Sequence, residues 1–154
     1  MAAATAATPN RILLVDNQPA VLDALEGLLA PARGIEVVAR LPSADDLVQT
    51  VVRTRPDMIV LDLDMPGRSA LAAVQDLRYR GDPVRVVILS AFMKDWQVRG
   101  AFAYGALAYV HKDDAPDALF AALSCARERK RYLSPSIAAA HPDLAARYTR
   151  SDPG

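Results

Sequence analysis

Five short apolar runs, each followed by a stretch whose hydrophobic residues recur at helical spacing, organise this chain. The runs fall at residues 11–15, 35–40, 58–62, 84–89 and 108–110. After the first, Pro19 suits the opening turn of a helix whose buried stripe is Val21, Leu22, Leu25, Leu28 and Leu29, with Gly34 closing it in a left-handed conformation. Ser43 caps a second helix that turns Leu47, Val51 and Val52 inward, and Pro56 stops it. A third helix spans 69–80 on Leu71, Val74 and Leu77, a fourth spans 94–104 and ends at Gly105, and a fifth runs over 115–130.

The run at 58–62 has no polar alternation before its terminal Asp62, which suits a central parallel strand covered on both faces. Strands alternating with helices through short connections, without internal repeat, predict a doubly wound five-stranded parallel sheet of the α/β class. Residues 1–10 are expected to be a loose leader and residues 11–130 one domain. Residues 131–154, with Ser-Pro, an Ala-rich stretch and Asp-Pro-Gly, are expected to form a linker or a short extra helix.

Composition removes several functional classes. Eighteen basic and eighteen acidic side chains leave no net charge, so no nucleic-acid face is advertised. The basic run at 127–131 is expected to be a solvated helix end. A lone cysteine, Cys125, excludes an internal disulfide framework and suits a reducing cytoplasm. No apolar run approaches a membrane span. His111 and His141 each lack a second ligand at metal spacing and are expected at the surface.

Chemistry enters at the strand ends. Four of the five strands finish on a polar group: Asp16, Asp62, Ser90 and Lys112. Ligands of open parallel sheets bind beyond the carboxyl ends of the strands, so these groups should converge on one pocket, with Asp62 facing solvent and ligand. Two carboxylates, a hydroxyl and an ammonium form a site for a divalent metal and a phosphoryl group. A carboxylate can accept phosphoryl as a nucleophile, Mg²⁺ takes oxygen ligands, and lysine offsets developing charge.

Four segments at this point carry a family resemblance: Ile12-Leu-Leu-Val-Asp16-Asn17-Gln-Pro19, Val60-Leu-Asp62-Leu-Asp64-Met-Pro66-Gly67, Ile88-Leu-Ser90-Ala91 and Gly105-Ala-Leu-Ala-Tyr109-Val-His-Lys112. Residues 11–130 resemble the receiver domain of a bacterial two-component response regulator. The later Arg131-Tyr-Leu-Ser-Pro135 is similar to the subfamily with a LuxR-type helix-turn-helix output. The resemblance implies a flavodoxin-like receiver fold with strand order 2-1-3-4-5. It implies Asp62 as phosphoacceptor, Lys112 as its charge partner, Ser90 as the phosphoryl-binding hydroxyl and Tyr109 as the aromatic switch. Asp16, Asp62 and the backbone carbonyl of Asp64 would hold Mg²⁺. It further implies a histidine kinase as donor, a homodimer, a cytoplasmic setting, and contact with DNA only through an output domain absent from this chain. Such a protein is a phosphoacceptor, not a turnover enzyme.

The chain departs from the family pattern at Asn17, where a second acidic residue is usual, so Mg²⁺ binding is expected to be weakened. Ala70 and Ala108 replace frequent glycines, and Phe92 places a bulky group near the pocket mouth. These departures keep a second reading open: the same fold as a phosphorylation-independent dimerisation or ligand-sensing module. A third, a haloacid-dehalogenase-type phosphatase, rests on Asp62-Leu-Asp64 alone; that family places its motif near the N-terminus, whereas two strands precede it here.

Overall fold

The computed structural model describes residues 8–65 and 69–148. The expected Pro66–Gly67 turn and the ends of the leader and tail lie outside them. The elements are β1 (Asn10–Val15), α1 (Pro19–Leu29), β2 (Ile35–Leu41), α2 (Leu47–Thr54), β3 (Met58–Leu61), α3 (Ala70–Tyr79) and β4 (Arg85–Ser90). They continue with α4 (Asp95–Ala103), β5 (Ala108–His111), α5 (Asp117–Arg127), β6 (Tyr132–Leu133), α6 (Pro135–Ala140) and α7 (Pro142–Tyr148). A single 3₁₀ turn, Lys112–Asp114, joins β5 to α5.

The sheet is parallel throughout, in the order β2-β1-β3-β4-β5-β6. Alternate residues along its strands face opposite layers. Leu13, Val15, Ile59, Leu61, Val86, Ile88 and Tyr109 join the buried side chains of α2, α3 and α4. Ile12, Leu14, Met58, Val60, Val87, Leu89 and Val110 join those of α1 and α5. Burying each such aliphatic side chain is worth about 1.5–3 kcal/mol, so the two layers fix which face every strand residue takes.

The sheet has six strands where five were expected. Tyr132 and Leu133 pair with Ala108 and Tyr109, and α6 and α7 then fold back so that Ile137 and Leu144 enter the layer of α2, α3 and α4. A two-residue strand carries no alternation, and six- and seven-residue helices carry barely two turns of period. Three local readings also change. Helix α1 ends at Leu29, and Gly34, at φ 79°, instead turns the chain into β2. Asp46, not Ser43, precedes α2, and Ser43 Oγ accepts from the Asp45 amide. Val52 is exposed, because Leu47, Thr50 and Val51 already fill the inward face of that short helix. Ser69 caps α3 by accepting from Ala72 N, as serine at that position should.

Candidate functional site: an acidic pocket at the strand ends

The order β2-β1-β3 reverses between β1 and β3, and the crevice beyond that reversal is where an open α/β sheet binds its ligands. Asp16 and Asp62 leave these neighbouring strands side by side, anchored by the bonds from Asp16 N to Leu41 O and from Asp62 N to Val15 O. Ser90 closes β4, and Lys112 follows β5, whose His111 pairs with Ser90. The fold thus brings all four strand-end groups to one edge.

Lys112 Nζ lies 2.9 Å from Asp16 Oδ2 and 3.4 Å from Asp62 Oδ2. Asp62 Oδ1 accepts from Asp64 N, and Asp16 Oδ1 accepts from Gln18 N. Asp62 does not face solvent as expected from its place at a strand end. It is only 4% exposed, with the Lys112 ammonium on one carboxylate oxygen and the Asp64 amide on the other. Burial raises the Asp62 pKa, and neighbouring Asp16 adds to the rise, against the opposing pull of Asp64 N and Lys112. For Lys112, burial disfavours the charge, but the hydrogen bond to Asp16 and both carboxylate charges outweigh it, and its pKa rises. The pocket therefore holds two carboxylates on one ammonium, with the Asp62 charge incompletely offset.

The Ser90 hydroxyl is buried and accepts from Phe92 N. Tyr109 is wholly buried and already turned inward, with its hydroxyl donating to Phe92 O at 2.6 Å. Burial pushes its pKa up to about 12, moderated by a hydrogen bond with Ser90. Phe92, two residues beyond Ser90, is 43% exposed. Asn17 and the Asp64 side chain are exposed, so neither side chain is packed into the pocket floor.

An all-oxygen donor set suits Mg²⁺, which is habitually held by one or two carboxylates and keeps several waters. Asp16 and Asp62 supply two such carboxylates, and the Lys112 ammonium between them shows that the pair attracts positive charge. Among the described residues no group of three or more acidic, histidine or cysteine side chains forms a fuller cage.

Residues 12–124 match the response regulator receiver domain. The chain belongs to the response regulator receiver family. The nitrate/nitrite response regulator protein NarL of Escherichia coli (strain K12) is 32% identical over 129 residues, covering 84% of this chain and 60% of that protein. The transcriptional regulatory protein DesR of Bacillus subtilis (strain 168) is 29% identical over 126 residues, covering 82% and 62%. This receiver chain thus spans about three-fifths of the length of those relatives. Its fold superposes on the crystal structure of a LuxR-family two-component response regulator from Aurantimonas sp. SI85-9A1 with a TM-score of 0.83, at 29% identity over 90% of this chain and 99% of that one. The likeness places it with LuxR-type receivers.

Sequence reasoning missed the groups surrounding this receiver's pocket. His141, expected at the surface, is 7% exposed and bonds through Nε2 to Met93 O at 2.8 Å. The His111 side chain is mostly buried and accepts from Asp113 N. Their hydrogen-bond partners are backbone atoms of loops, with the Asp95 carboxylate 3.5 Å from His141 Nδ1 and that of Asp113 3.7 Å from His111 Nδ1, and no residue pattern announces these contacts. No described helix is long and apolar enough to cross a membrane.

Proposed function

We propose that this receiver accepts a phosphoryl group on Asp62 from a histidine kinase and thereby controls transcription through an output domain beyond this chain. The observation that carries the proposal is the convergence of Asp62, Lys112 and Asp16 within hydrogen-bond reach, with the Ser90 hydroxyl on the adjoining strand. In the transfer, an Asp62 carboxylate oxygen forms the new bond to phosphorus as the bond from phosphorus to the donor nitrogen breaks. The resulting acyl phosphate carries its charge on three oxygens.

Lys112 is placed to offset that charge, and Ser90 to donate a hydrogen bond to one oxygen. Asp16, Asp62 and the Asp64 carbonyl would hold Mg²⁺, which supplies positive charge against the phosphoryl oxygens. The exposed Asn17 offers a neutral oxygen in place of a carboxylate, so Mg²⁺ binding is weak. The relatives' names as transcriptional and response regulators, together with the intact trio, favour this reading over a phosphorylation-independent module. Within the same proposal, the receiver works as a cytoplasmic homodimer that meets DNA through its output domain.

The test is titration with beryllofluoride and Mg²⁺, followed by backbone amide resonances. Saturable shifts at Asp62, Ser90 and Lys112 are expected. Shifts absent from these residues, at concentrations that saturate the Asn17→Asp variant, contradict the proposal.

A further inference from the structure

The segment after α5 is fastened to the two loops that carry the pocket's own chemistry. At one end, the loop holding Lys112 meets α6: the Asp114 carboxylate accepts from Ser136 N at 2.9 Å and from Ser136 Oγ at 2.7 Å. Beside it, the buried Ser134 Oγ accepts from His111 N, and Ser134 N donates to Tyr109 O. The network matters to Asp114 itself, because burial would raise its pKa yet the bonds from Ser134 and Ser136 hold it below the usual carboxylate value.

At the other end, the junction between α6 and α7 meets the loop that follows Ser90. His141 Nε2 approaches Met93 O, and since a carbonyl only accepts, that nitrogen carries the proton. One residue earlier, Phe92 is held from the opposite side: its amide donates to Ser90 Oγ and its carbonyl accepts from Tyr109 Oη. The residues 90–93 therefore hang between the switch groups and His141. Helix α7 then follows α4, through the Arg99 bridge between Asp95 and Asp143 and the Phe102–Tyr148 ring pair at 4.8 Å.

We propose that residues 134–148 are the output arm of the acidic pocket, and that His141 is the positioning residue coupling the Ser90–Met93 loop to it. The proposal rests on the receiver reading for what drives the arm, but the mechanical coupling stands on these bonds alone. A change at Ser90 and Tyr109 cannot move Phe92 without altering the Met93 carbonyl that His141 grips. The Asp114–Ser136 contact meanwhile makes the Lys112 loop the fixed end. Coupling of this kind is reciprocal: whatever releases the arm also eases the rearrangement at the pocket.

Amide hydrogen exchange of the whole chain tests this, with two single-residue variants. Tyr109→Phe removes a hydroxyl remote in sequence from the arm, and His141→Ala removes the grip. Exchange in residues 137–148 is expected to quicken about fivefold or more in Tyr109→Phe, and exchange in residues 91–94 by a similar factor in His141→Ala, the size of one lost hydrogen bond. Beryllofluoride with Mg²⁺ should quicken the arm in the wild type and add little in His141→Ala. If each variant perturbs only its own neighbourhood, the coupling is overturned. If the variants cross-talk but beryllofluoride binds without changing the arm, the arm's role as output is overturned. Absence of any beryllofluoride binding sinks the receiver reading, and the variants then decide the coupling alone.

Discussion

Lys112 bridges two buried carboxylates, standing closer to Asp16, at 2.9 Å, than to Asp62, at 3.4 Å. The ammonium is thus anchored by Asp16 and leaves Asp62 less tightly paired. Lys112→Met removes the only cation in contact with this pair among the described residues. The variant is expected to lose about 1–3 kcal/mol of stability, less than a fully buried pair would because Lys112 keeps some solvent contact. Urea unfolding measures it, and a change within about 0.5 kcal/mol, the range of ordinary surface substitutions, contradicts the pairing.

The same geometry makes Asp62 costly to the fold. Its pKa is raised above the ordinary value by burial first, so the ionised carboxylate costs more in the folded state than in the unfolded chain. Stability associated with this group is greatest below the unfolded carboxylate pKa and falls as pH rises through the native one. Asp62→Asn should therefore be more stable than the wild type at neutral pH. That advantage should shrink as pH falls toward the carboxylate range. Paired urea titrations at neutral and mildly acidic pH check it; an advantage that grows on acidification contradicts the burial argument.

Tyr109 gives the alkaline counterpart. Burial pushes its pKa up to about 12 from the ordinary 10.0, so its stabilising preference for the neutral phenol is present below the ordinary value and is lost as pH rises through the native one. Tyr109→Phe should flatten the loss of stability between those two values relative to the wild type. An unchanged alkaline limb in thermal unfolding means the phenol is not held as described.

Asn17 is where the pocket is one charge short. Asn17→Asp should tighten Mg²⁺ by about tenfold, the equivalent of one screened charge contact of about 1.4 kcal/mol. Calorimetric titration reads this directly. Equal affinities in both proteins remove the exposed Asn17 from the metal site.

The strand-end groups were legible in the sequence because each apolar run stops on its polar residue, and a parallel sheet aligns those stops. Asp16, Asp62, Ser90 and Lys112 needed no more than that. What remained hidden depends on contacts between distant backbones. His141 lies beside a proline in an Ala-rich stretch with nothing to mark its grip on Met93 O. Strand β6 is two residues of pairing that only β5 can template. The burial of Asp62 goes with its contacts to the Lys112 ammonium and the Asp64 amide, which strand periodicity does not encode.

The central claim is that Asp62 is the phosphoacceptor, and incubation with acetyl phosphate and Mg²⁺ followed by intact and peptide mass spectrometry tests it most directly. One hydroxylamine-labile phosphoryl group is expected, located at Asp62, dependent on Mg²⁺ and absent from Asp62→Asn. Equal labelling of wild type and Asp62→Asn, or no labelling of a wild type shown to be folded and Mg²⁺-saturated, contradicts it.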